Sequence, residues 1–319
     1  MQKISLGLLM IALLGNCVKE QPKNAITIFH AGSLSLPLKA AADSFKKYNP
    51  DITIYLEAAG SVECARKITE LNRSCDLFFS ADYHVIKLLL ATNHTGFYIP
   101  FAGNRMVLAY SPKSKGAKAI NPANWPDILL QSDVAYGRSD PNADPCGYRT
   151  VLTLKLAEQY LKHPGLADSI LSKNNQFIRP KEVDLITLLQ TGAIDYFLIY
   201  ESVAKQHNLS YLILPDSINL SNPVLAKHYE SVSTQIRGTI PNKFITINGE
   251  PIVYALTIPH SSKNPELALK FTQYFLSDSG GIKILKSMGQ NPLIPFDTLG
   301  CGKIPDSLLK FSVQNENRQ

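Results

Sequence analysis

Four short segments set glycine, hydroxyl or acidic side chains at points where the pattern passes from strand to helix, and each could hold an anion. His30-Ala31-Gly32-Ser33-Leu34 puts a glycine, which admits a close ligand, beside a hydroxyl, and Ala58-Ala59-Gly60-Ser61 repeats that order. Helix starts attract anions because their first N–H groups lack internal partners and the helix dipole is positive there. Either loop alone would read as an ordinary capped helix. Two of them in one parallel sheet would converge at one edge, which turns the balance toward anion binding. In the third segment, Ser139 to Arg149, two Asp-Pro pairs make a rigid, turned entry into the next helix. Asp144 can cap that helix and still point its carboxylate into a cleft. The fourth, Arg179-Pro180-Lys181-Glu182, places Glu182 in a first helical turn, where a glutamate complements the dipole.

Other chemistries lack their residues. A hydrolase needs an activated nucleophile with a base in reach, and the chain has no Gly-x-Ser-x-Gly turn and no cysteine with a convincing partner. Its seven histidines lie in unrelated contexts; His30, beside the first loop, reads as a hydrogen-bonded structural residue. No enzymatic activity and no cofactor are expected. No CxxC pair or Cys/His cluster has zinc spacing. Cys64, Cys75, Cys146 and Cys301 allow three disulfide pairings. Cys64 and Cys75 would sit roughly 16 Å apart along a helix at ~1.5 Å per residue, too far for a bond that needs Cα atoms within about 7 Å. The formal charge of +6 suits an anion ligand without proving one, and no basic run interleaved with aromatics points to nucleic acid.

The elements that must position these loops alternate. Met1-Gln2-Lys3 and the apolar run from Leu6 to Leu14 read as a secretory signal, too short to span a bilayer. Leu14-Gly15-Asn16-Cys17 is close to the pattern ahead of a lipid-modified cysteine, so residues 1–16 are expected to be removed and Cys17 lipidated; the alternative is cleavage near Asn24. Strands are expected at Ala25–Phe29, Ile52–Leu56 and Leu77–Phe79. Helices are expected at Leu36–Tyr48, at Val62–Arg73 capped by Ser61, and at Tyr83–Ala91. This βαβαβα order argues for a largely parallel sheet covered on both faces. Ser111–Asn124, rich in Lys, Gly, Pro and Ser, reads as a crossing linker. A second α/β series follows: strands at Val134–Tyr136, Ile194–Ile199 and Tyr211–Leu214, and helices at Gly147–Leu161 and Glu182–Gln190. The stretch from Ser217 to Ser231 looks irregular. Pro251–Ile258 as a strand and Pro265–Leu276 as a helix capped by Asn264 return to the first unit. The expected organisation is residues 25–109 with 242–319 as domain I and 110–241 as domain II, with a ligand cleft between.

Here a family resemblance becomes specific. Phe29 to Leu34, Ala58 to Val62, Ser80-Ala81-Asp82-Tyr83, Asp140-Pro141-Asn142 with Asp144 to Arg149, Gly192 to Tyr196, and Tyr200 with Ser202 to His207 look like the tungstate/molybdate-binding proteins of ABC transporters, in the subfamily first known in archaea. The match covers nearly the whole mature chain. It implies a type II periplasmic-binding-protein fold, a monomer that carries the oxyanion to an ABC transporter permease, and a periplasmic or cell-surface location on a lipid anchor. Carried over by motif, the ligand contacts fall on Gly32, Ser33, Ser61, Asp144, Pro145, Cys146, Glu182 and Tyr200. Asp144 and Glu182 would add to the metal of the anion; Asp140 and Glu201 are their competitors.

The resemblance makes sense of the acids. Two carboxylates beside a dianion repel it in a poorly solvated cleft. They help only if their oxygens bond the central atom, which tungsten(VI) and molybdenum(VI) permit and the sulfur of sulfate or phosphorus of phosphate does not readily permit. Such a site would select large metal oxyanions against the common small ones.

Overall fold

A computed structural model of the chain describes residues 24–90, 93–238, 240 and 242–313. The signal segment, including the lipidation candidate Cys17, lies outside the described residues. Three parallel strands begin the fold: β1 (Ala25–Ala31), β2 (Thr53–Ala59) and β3 (Leu77–Ser80). Every residue of β3, Leu-Phe-Phe-Ser, is buried, as a strand covered on both faces requires. The helix Ser35–Tyr48 turns Leu38, Ala41, Ala42 and Phe45 inward, at the spacing of one helical face. The Phe45 ring meets Phe271 of the helix Pro265–Leu276 edge-on, with centroids 5.2 Å apart.

The first sheet is completed by β4 (Ile99–Gly103), β12 (Val253–Thr257) and β13 (Asn291–Pro292), in the order β13-β4-β12-β3-β1-β2. The second sheet has the order β7-β6-β8-β5-β9, built from β5 (Met106–Tyr110), β6 (Tyr136–Ser139), β7 (Ile178–Arg179), β8 (Tyr196–Tyr200) and β9 (Ser210–Ile213). A separate hairpin pairs β10 (Ser233–Arg237) with β11 (Phe244–Asn248). Neither sheet is purely parallel. β5 runs against β8 and β9, and β12 runs against β3 and β4. Each is the strand by which the chain enters its sheet from the other lobe. Entry comes from the side where the parallel strands end, so the entering strand must run the opposite way.

Several expectations shift for physical reasons. β5 pairs with β8 and β9, so the chain leaves the first sheet at Asn104–Arg105, ahead of the 111–124 stretch read as the crossing. That stretch packs within the second lobe, where Ser114 Oγ donates to the Asp195 carbonyl at 2.7 Å. A boundary at 241/242 would fall inside the β10–β11 hairpin. Ser61 is the first residue of the helix Ser61–Thr69, Gly60 stands at the cap position, and no side chain caps that end. Asn264 occupies its cap position without capping, because its amide donates to the Ala25 carbonyl at 2.5 Å and ties the helix to β1. The helix expected from Tyr83 is a single turn, Tyr83–Val85, that widens into a π-helix over Ile86–Leu90; Ala91 lies outside the described residues. The polar stretch after Ser217 is not wholly irregular: it holds the end of the short helix Asp216–Asn219 and a further turn, Ala226–Tyr229. All four described cysteines are buried and free, so none of the three pairings forms.

Candidate functional site

Strand register brings the loops together. Ala31 stands opposite Ala59 in the β1–β2 pair, so Gly32-Ser33 and Gly60-Ser61 leave the first sheet side by side. Ser139 stands opposite Arg179 in the β6–β7 pair, so the Asp144 loop and the Pro180-Lys181-Glu182 turn leave the second sheet together. The two edges face each other. A Cβ on Gly60 would lie 2.2 Å from the Ala143 carbonyl oxygen, and one on Gly32 would lie 3.1 Å and 3.2 Å from the Glu182 carboxyl oxygens. Only glycine lets the lobes meet this closely at residue 60.

Asp144 caps the helix Pro145–Leu161. Its Oδ1 accepts from the Cys146 N–H at 3.1 Å and its Oδ2 from the Glu182 N–H at 2.9 Å. One carboxyl therefore fixes both loops of the second lobe. Each oxygen keeps a further lone pair. Glu182 precedes its helix, Asp184–Gln190, rather than sitting in the first turn, which frees its side chain to point across at Gly32. The side chain is wholly buried, and neither carboxyl oxygen meets a donor with hydrogen-bond geometry. Burial pushes the Asp144 carboxyl up to about 6, against the backbone N–H groups that draw it down. Burial, and then the adjacent Asp144 charge, raise Glu182 well above the usual carboxylate range, while the nearby Ser33 hydroxyl pulls it back only in part. This is the signature of two carboxyls forced together away from water.

Each of the two serines already accepts one hydrogen bond. Ser33 Oγ accepts from the Tyr254 hydroxyl at 3.0 Å, and Ser61 Oγ accepts from the Ala81 N–H at 2.9 Å. Each keeps its own proton to give. Tyr200, at the end of β8, is buried with an unpartnered hydroxyl, and so is Ser139. Unpartnered buried polar groups each cost ~1–3 kcal/mol, so Tyr200 and Ser139, both close to Asp144, mark this region as a place for a polar ligand. Pro145 and Cys146 form the buried first turn of the helix after Asp144, and the Cys146 thiol points back to the Leu198 carbonyl, 3.6 Å away. Burial raises that thiol well above its usual value, which disfavours the reactive thiolate form.

The competitors are occupied. Asp140 Oδ1 accepts from the Asn142 N–H at 2.8 Å within its own turn. Glu201 pairs with Arg105 at 2.8 Å and Lys205 at 3.2 Å; burial pulls its carboxyl up, but these cations hold it below its ordinary value. His30 is buried with Nδ1 2.8 Å from the Ala31 carbonyl, and burial lowers its pKa, which fits its structural reading. Sequence reasoning passed over the groups that join the lobes. Arg66 donates to the Asn142 and Arg237 carbonyls, and buried Arg149 pairs with Asp82 at 2.6 Å and Glu250 at 3.2 Å. Tyr148 adds a hydrogen bond to Asp82 at 2.7 Å. Only the presence of Asp82 and Arg149 in conspicuous motifs could have flagged them.

Residues 26–289 match the family model described as bacterial extracellular solute-binding protein. The chain belongs to that family. A solute-binding protein of Petrotoga mobilis is 42% identical over 309 residues, covering 95% of each chain. The molybdate/tungstate-binding protein WtpA of Pyrococcus abyssi is 37% identical, covering 96% of this chain and 95% of its own. Among solved structures, the periplasmic molybdate-binding protein of Azotobacter vinelandii superposes with a TM-score of 0.61 at 17% identity, over 83% of this chain and 98% of its own. The solute-binding protein described here thus has the type II periplasmic-binding-protein fold, two α/β lobes with a cleft between. Among its described residues no helix is long and apolar enough to cross a membrane.

Proposed function

We propose that this solute-binding protein captures tungstate or molybdate outside the cytoplasm and hands it to the permease of an ABC transporter, without turning it over. The observation that carries the reading is the pair Asp144 and Glu182: two buried carboxyls in contact range, one lacking any hydrogen-bond donor, at the meeting point of two Gly-Ser turns. A site for sulfate or phosphate would be weakened by such a pair. A site for a metal oxyanion uses it, because tungsten or molybdenum accepts two more oxygens. Ser33 and Ser61 would donate to the anion's oxygens, with Tyr200 beside them. The backbone at Gly32 and the first turn at Pro145 and Cys146 would line the rest. The names of the archaeal relatives support the same ligand.

The anion would be held from both lobes, so it would favour the closed state in which all its contacts exist at once. Lipidation of Cys17 would keep a monomeric carrier at the membrane near its permease. Isothermal titration calorimetry with sulfate, phosphate, molybdate and tungstate on one preparation tests the reading. Tungstate and molybdate are expected to bind tightly and the other two weakly; sulfate or phosphate binding as tightly as tungstate would overturn it.

A further inference from the structure

We propose that Asn104 and Tyr254 are positioning residues that fix the Ser33 hydroxyl as a proton donor toward the bound anion, joining the lobe crossing to the ligand through one hydrogen-bonded chain. The inference rests on the reading of Ser33 as an anion contact. Asn104 lies in the crossing between β4 and β5, and its orientation is set by two backbone donors. Its Oδ1 accepts from the Arg105 N–H at 3.0 Å and from the Ser202 N–H at 3.4 Å. The amide nitrogen must therefore face the other way, where it donates to Ser202 Oγ at 2.8 Å and to Tyr254 Oη at 3.2 Å. Tyr254 Oη, having accepted, donates onward to Ser33 Oγ at 3.0 Å. The bonds from the Asn104 amide nitrogen and from Tyr254 Oη to Ser33 are all buried, which strengthens them.

The direction of this chain matters more than its length. An amide N–H can only donate, and a Tyr hydroxyl has one proton. Burial raises Tyr254 well above its usual value, so that proton stays on. Ser33 Oγ thus receives a hydrogen bond and keeps its own single proton to give, on the side of Gly32 where the Glu182 carboxyl lies. Without the relay, the serine hydroxyl could rotate its proton to other acceptors and would have to be reoriented on binding. The same Asn104 holds the start of β8's following helix, Glu201–Gln206, through Ser202, so it contacts both lobes at the crossing. The Ser33 donor is therefore oriented by the segment about which the lobes must move.

A double-mutant cycle read by tungstate titration of the full chain tests this. Tyr254→Phe is expected to weaken tungstate about tenfold in the parent, because Ser33 is then no longer held in place for its own hydrogen bond to the charged anion. In a Ser33→Ala background the same change should cost less than about twofold, because there is no hydroxyl left to orient. An equal loss in both backgrounds would mean that Tyr254 acts on the fold and not through Ser33, and the relay falls. Tungstate binding at parental affinity in Ser33→Ala would remove the relay together with the Ser33 contact, while the four-anion titration of the parent still decides the ligand class. Asn104→Asp gives a second arm, since it offers Tyr254 an acceptor and reverses the chain. It should weaken tungstate more than Tyr254→Phe does, and an affinity unchanged from the parent overturns the proposal. Thermal unfolding of each variant identifies the folded samples to be titrated.

Discussion

Glu182→Gln should change ligand affinity and ligand-free stability in opposite directions. The parent side chain is fully buried, carries two oxygens without a donor, and sits beside a second carboxyl. Glutamine keeps the shape and removes the charge. Losing one charged ligand group from the anion's shell should cost at least the ~1.5–3 kcal/mol of a charge-assisted bond, which is roughly a ten- to hundredfold weaker tungstate affinity. The empty protein should gain. A raised carboxyl pKa means that ligand-free stability is fully present below the unfolded-state value and is lost as pH rises through the folded-state value. At neutral pH the variant escapes that loss. Relief of about 1 kcal/mol would raise the midpoint of unfolding by ~1.5 °C in a chain of this size. Calorimetric titration and thermal scans at two pH values measure both. If affinity holds and stability drops, Glu182 is a structural residue and its assignment to the anion is wrong.

Two further outcomes follow from the same geometry. Coordination needs the carboxylate form, and burial lifts Asp144 to about 6. Glu182 must be ionised as well, and it is raised well above the carboxylate range, so tungstate affinity is expected to fall with decreasing pH as Glu182 takes up a proton and to fall further through about 6; affinity that rises toward acid would mean that protonated carboxyls donate hydrogen bonds to the anion. Gly60→Ala places a methyl where the Ala143 carbonyl lies 2.2 Å away. It should leave the lobes folded but unable to close, so small-angle scattering, which should show the parent compacting on tungstate, would show little change. A variant that compacts and binds like the parent would refute the close approach at that point.

The loops at Gly32-Ser33, Gly60-Ser61 and Asp144 were legible in the sequence because each is local: a strand end, a turn and a helix start within a few residues. Their convergence was legible too, since parallel neighbours must release their loops at one edge. What escaped depends on distant partners. Tyr254 lies 221 residues from the serine it holds, and nothing in its own strand marks it. A first domain ending at residue 109 would split β5 (Met106–Tyr110) from its sheet, and only its pairing with β8 and β9 assigns the strand to the second lobe. Residue type alone marks Ser61 and Asn264 as helix caps. Ser61 instead accepts the Ala81 N–H and Asn264 donates to the Ala25 carbonyl, tertiary bonds that outweigh a local preference.

The claim that the two acids bond the metal, and do not merely line the pocket, is tested most directly by X-ray absorption at the tungsten edge of the saturated complex. The tungsten should show an expanded shell, the four oxygens of the anion plus one from each of Asp144 and Glu182, that loses an oxygen neighbour in Glu182→Gln. A tungsten centre in the parent complex with only four short oxygens, and a spectrum unchanged by the substitution, would contradict it.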